Sequence, residues 1–115
     1  MIQPITIESL IQINEILTHQ PCTEERKGKV KGCLSSYFYY ETPEEQVTSI
    51  VVSLIKGHFF LDGNKRTALS AYLDLAENNN LPLLVNKDAL GELFIEIAST
   101  HKSISEYSQL LFPNQ

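Results

Sequence analysis

The chain has 115 residues, a length that suits one compact domain and leaves no room for two. Hydrophobic residues make up 43% and charged residues 20%, an ordinary balance for a globular protein that folds without disulfides or metal. The formal net charge of -5 gives no general attraction to phosphate backbones, so nucleic acid is a poor default partner.

The N-terminal stretch MIQPITIESLIQINE has no basic leader region and carries acidic residues, unlike a signal peptide. Within it, Ile7, Leu10, Ile11, Ile13, Asn14 and Leu17 have helical spacing, which predicts a helix over 6–18 with Thr6 as N-cap. From 20 to 41 the pattern breaks into Pro21, Gly28 and Gly32 with basic residues between them, leaving room for a short hairpin and a short helix in unassigned order. Cys22 and Cys33 lie here without CxxC spacing or nearby histidines, and read as reduced thiols of a cytoplasmic protein.

A second helix follows, with Pro43 in its first turn, Glu44 and Glu45 beside it, and Val47, Ile50, Val51, Leu54 and Ile55 on one stripe. Gly57 marks its end. A third starts near 62–64 and runs to about 77, burying Ala68, Leu69, Tyr72, Leu73 and Ala76, and stops at Asn78-Asn79-Asn80. A fourth carries Leu90, Leu93, Phe94 and Ile97, and a last one over 103–112 carries Ile104, Tyr107, Leu110 and Leu111. No apolar run reaches the length of a membrane span. The expected fold is a single all-α domain over 1–115, a compact helical bundle with room for one small β-hairpin.

The chemistry concentrates in HFFLDGNKRT, which joins the second helix to the third. Asp62 stands where an N-cap belongs, and Gly63 and Asn64 open the helix with exposed N–H groups. Lys65 and Arg66 then fall in the first turn, where the macrodipole disfavours cations by about 0.3–1 kcal/mol each. Packing alone would choose Asp or Glu there; an anion such as phosphate makes sense of the cations. His58 follows Leu54 by four, so a helix continuing through Gly57 would leave its ring half-buried beside that anion site, as a base for a hydroxyl proton. Asp62 could hold magnesium, which favours carboxylate and phosphate oxygens. Taken singly, each residue has a plainer use: a core or capping histidine, an N-cap, a solvated basic corner. Their joint spacing describes transfer from a nucleotide to a hydroxyl. A Walker A loop does not fit, because Asn64 separates Gly63 from Lys65 and five residues separate the two glycines.

The segment resembles the Fic/Doc signature HxFx(D/E/A)GN(G/K)R at every fixed position: His58, Phe60, Asp62, Gly63, Asn64, Lys65 and Arg66. The following TALSAYLDLAENN resembles the Doc (death-on-curing) branch, and the likeness extends over about 5–112. The resemblance implies an enzyme that uses ATP and Mg2+. His58 would be the general base, Phe60 the structural anchor and Asp62 the magnesium ligand, with Gly63, Asn64, Lys65 and Arg66 holding phosphates. Lys65, where AMP-transferring members usually carry glycine, implies transfer of phosphate to a Ser/Thr hydroxyl by a toxin of a toxin–antitoxin system. The translation factor EF-Tu is then the expected target and a Phd-type antitoxin the expected inhibitor. Protein adenylylation and a non-catalytic binding module are the alternatives. Val30, Lys31 and Gly32 lie where the family places its target-docking flap, a hairpin that pairs with the target as a strand. Two positions depart from the pattern: Phe59 stands where many members have Pro, and Asn14 where a His is often found.

Overall fold

The computed structural model describes residues 1–83 and 85–113. Among them are six α-helices and no strand: α1 (Ile7–Thr18), α2 (Glu24–Val30), α3 (Pro43–Lys56), α4 (Asn64–Asn78), α5 (Lys87–Ser99) and α6 (Ile104–Leu111). Two 3-10 turns, Lys31–Leu34 and Tyr37–Tyr39, fill the path from α2 to α3.

Side-chain caps fix where five of these helices begin. Thr6, Thr23, Thr42 and Ser103 each accept the N–H three residues on, and Asn86 accepts that of Asp88. At α6 the cap is reciprocal, because the Glu106 side chain accepts the Ser103 N–H in return. The same chemistry corrects the expectation of a hairpin within 20–41. Thr23 caps the turn, Glu24 and Glu25 occupy its positive end, and Lys27 and Lys29 its negative end. These local bonds outweigh the cost of Gly28 and wind the segment into α2.

Helix α3 runs through the middle and packs against α4, α5 and α6, while α1 lies on α4. Its stripe of Val47, Ile50, Val51, Leu54 and Ile55 is at most 3% exposed. Each such side chain contributes roughly 1.5–3 kcal/mol by leaving water, before the entropy of ordering is counted. The aromatic end of the core joins three segments, with the Tyr72 ring 6.1 Å from Phe94 and 5.4 Å from Phe112. Buried Gln46 accepts the Ile2 N–H at 3.0 Å and donates to the Tyr40 carbonyl at 2.8 Å, tying two flanking segments to α3. Cys33 is buried, Cys22 half-buried, and both are free thiols. No helix among the described residues is long and apolar enough to cross a membrane.

Candidate functional site

The site is made by the way α3 stops and α4 starts. Helix α3 ends at Lys56 with Gly57 as its C-cap, and His58 then takes a left-handed conformation (φ 50°). A β-carbon at Gly57 would lie 2.6 Å from the Ser53 carbonyl and 2.4 Å from the Phe59 ring, so only glycine lets the chain fold back here. His58 is therefore off the apolar stripe of α3, and it is exposed rather than half-buried. The expectation failed because it extended the helix through Gly57.

From His58 the loop is pinned at successive points. Phe60, only 3% exposed, inserts into the core. Asn64 grips Phe60 from the first turn of α4, through both the N–H and the carbonyl of that residue. Phe59 lays its ring over Gly57 and against Gly32, where an added β-carbon would come within 3.1 Å of it. Asn14, buried in α1, donates to the Asp62 carbonyl at 2.8 Å and to the Thr67 hydroxyl at 3.0 Å. Arg26, from α2, donates to the carbonyls of His58 at 3.2 Å and Phe59 at 3.4 Å.

Gly63, not Asp62, is the N-cap of α4. Its φ is +72°, and a β-carbon would meet Thr18 Cγ2 at 2.9 Å. Asp62 turns back on the loop instead, its Oδ1 accepting the Gly63 N–H at 2.8 Å and its Oδ2 lying 3.6 Å from Arg66 Nη2. Helix α4 thus starts without a side-chain cap and without an acidic residue in its first turn, whereas each of the other five α-helices has both. Lys65 and Arg66 sit in that turn, both exposed. Its first N–H groups have no carbonyl within the helix to bond.

These pieces line one open cleft of about 300 Å³, with His58, Asp62, Gly63, Asn64, Lys65 and Arg66 among its walls. The structure therefore gathers the sequence-derived residues from 58 to 66 around one space, with Phe60 beneath them. An imidazole, a carboxylate and an uncapped helix start with two cations in its first turn share this cleft, an arrangement suited to a polyanion beside a hydroxyl. The fit to magnesium is that of a single carboxylate. Among the described residues no three His, Cys, Asp or Glu side chains cluster as a metal cage. Magnesium is commonly held by one or two carboxylates together with substrate phosphates, so Asp62 suits an ion that arrives on a nucleotide.

Val30, Lys31 and Gly32 stand apart from that cleft. Val30 is fully buried at the end of α2, and Lys31 and Gly32 belong to the 3-10 turn that follows, so this backbone is helical and not a hairpin. Sequence reasoning misses Arg26, and marks Asn14 only as a departure from the pattern without a role. Asn14 had a signal, a polar side chain inside the apolar spacing of α1. Arg26 had none, since its partners lie 32 and 33 residues away.

A family model described as the Fic/DOC family matches residues 4–75, more than half of the chain. The match runs from before α1 through most of α4 and contains the whole cleft. No curated protein matches the chain.

Proposed function

The chain belongs to the Fic/DOC family, whose enzymes are in general transferases that draw on nucleoside triphosphates, and on that premise we propose that it is a Doc-like phosphotransferase acting on a protein hydroxyl. The observation that carries this reading is the start of α4. An uncapped helix with Lys65 and Arg66 in its first turn shares a cleft with the imidazole of His58. Fixed cations at a helix start are unfavourable alone and favourable once phosphate oxygens arrive.

In the proposed reaction the ring of His58 removes the proton from a Ser or Thr hydroxyl of the target. That oxygen forms a bond to the γ-phosphorus of ATP, the bond from phosphorus to the β,γ-bridging oxygen breaks, and ADP leaves with the electron pair. Arg66 and the α4 N–H groups hold phosphate oxygens, and Asn64 and Phe60 keep the loop at a fixed height above the core. Asp62 would hold magnesium, which when bound offsets phosphate charge. Lys65 adds a side chain and a charge where AMP-transferring members usually have glycine, which supports γ-phosphoryl transfer. EF-Tu as target and a Phd-type antitoxin as inhibitor belong to the same proposal, within a toxin–antitoxin system that arrests translation.

The test uses the purified protein with magnesium, bacterial lysate and ATP labelled at either the α or the γ phosphate, with His58→Ala as control. Label reaching a protein from γ-labelled ATP alone, and lost in the control, is the expected result. Label from α-labelled ATP alone would replace phosphate transfer with AMP transfer.

A further inference from the structure

The geometry points to Arg26 as a positioning residue for His58, acting through the backbone of the loop and not through substrate. His58 occupies a left-handed conformation that a side chain with a β-carbon adopts at a cost, so something outside the loop must hold it. The two carbonyls that follow that φ are those of His58 and Phe59, and Arg26 Nη1 donates to both, at 3.2 and 3.4 Å.

Arg26 is not among the residues that line the cleft. His58, Asp62, Lys65 and Arg66 line that cleft. Arg26 lines a smaller neighbouring recess of about 20 Å³ with Asn14 and Phe60, which shares Leu61 and Asp62 with the cleft. The bonds of the guanidinium to the loop go to the peptide carbonyls of His58 and Phe59.

The base of this contact is itself anchored. Glu15 of α1 accepts the Cys22 N–H at 2.7 Å, and Thr23 caps α2 by accepting the Arg26 N–H at 3.2 Å. Arg26 therefore stands on a first turn fixed to α1 and reaches across to the loop. Both bonds come from one nitrogen, Nη1, whose N–H groups reach two neighbouring carbonyls; an ammonium would carry its charge on a different stem. Displacement of a general base by about 1 Å can cost on the order of 100-fold in rate.

The kinetic part of the inference rests on the phosphotransfer reading; the structural part does not. Wild type, Arg26→Ala and Arg26→Lys would be compared by transfer kinetics, by the His58 ring resonance in NMR, and by hydrogen exchange at the Phe60 amide. For Arg26→Ala we expect kcat to fall about 10- to 100-fold with KM for ATP within about twofold. The His58 resonance should move, Phe60 exchange should quicken, and Arg26→Lys should be intermediate in all three. Unchanged kcat together with an unmoved His58 resonance would overturn the assignment. So would a loss of activity that follows only a lowered melting temperature while the resonance stays in place. If wild type transfers no label, the phosphotransfer reading falls, and the resonance and the Phe60 exchange still decide the role of Arg26.

Discussion

Asn64 and Phe60 hold each other through a closed pair of hydrogen bonds. The Asn64 amide donates to the Phe60 carbonyl at 2.9 Å, and its Oδ1 accepts the Phe60 N–H at 3.0 Å. A side chain in the first turn of α4 thus replaces the backbone partner that Phe60 would have had in a regular element.

Asn64→Ala removes both bonds and leaves the Phe60 N–H without that partner. The expected loss is about 1–3 kcal/mol in urea unfolding. Asn64→Asp keeps the acceptor and loses the donor, so its midpoint should lie between those of wild type and Asn64→Ala.

Gly63→Ala meets two separate obstacles. The positive φ costs about 1–2 kcal/mol for any residue with a β-carbon, and the new methyl would sit 2.9 Å from Thr18 Cγ2. Adding Thr18→Ser removes that methyl while keeping a hydroxyl for the bond to the Asn14 carbonyl. The double variant should therefore recover part of the lost thermal stability, the remainder being the φ penalty together with a tight 3.3 Å approach to Asn14 Nδ2.

Arg66→Ala should separate binding from folding. The Arg66–Asp62 pair is a 3.6 Å contact between side chains 55% and 67% exposed, and a pair of that kind contributes little. Stability should change by no more than about 0.5 kcal/mol. KM for ATP should rise about tenfold or more, the order expected when a charged contact to phosphate is lost. Unchanged ATP affinity, read by titration calorimetry, would remove the phosphate cradle from the mechanism.

Alkaline pH should loosen the core through two buried acids. Burial pushes the Cys33 thiol from 9.0 to about 12 and the Tyr72 hydroxyl from 10.0 to about 12. Both hold their protons more tightly folded than unfolded. Their stabilisation is full below the unfolded values, falls as pH rises above about 9, and is gone past about 12. Urea midpoints should decline across that window. Tyr72→Phe should flatten the part above pH 10.0, after an initial loss from the missing bond to the Leu111 carbonyl.

Much of this fold was legible because caps and stripes are local. Thr6, Pro43 and the spacing of Val47 to Ile55 announce α1 and α3 within a few residues of where they lie. Region 20–41 was not legible, because Pro21, Gly28 and Gly32 suggest turns while the Thr23 cap with its flanking charges favours a helix. The cleft residues could be named because they are consecutive. Their heights relative to the core could not: His58 is lifted into solvent by a stop at Gly57, and Asp62 gives up the cap to Gly63. The supports come from α1 and α2, and contacts at that separation leave no periodic trace. Asn14 could be noticed as an oddity, but its bonds to Asp62 and Thr67 exist only once α1 lies on α4.

The Phe59 ring, resting on Gly57 and facing Gly32, has a consequence for how this loop can change over generations. Where a proline stiffens a loop through its own covalent ring, the neighbours remain free to vary. Here the stiffness is shared among three positions, two of which must stay bare while the third stays large. A lineage that first shrinks Phe59 releases position 32 to acquire a side chain, whereas position 57 stays bare in either order, because the Ser53 carbonyl would lie 2.6 Å from any β-carbon there. Substitutions at 59 and 32 should therefore follow an order, with the loop residue leading, while Gly57 is kept throughout.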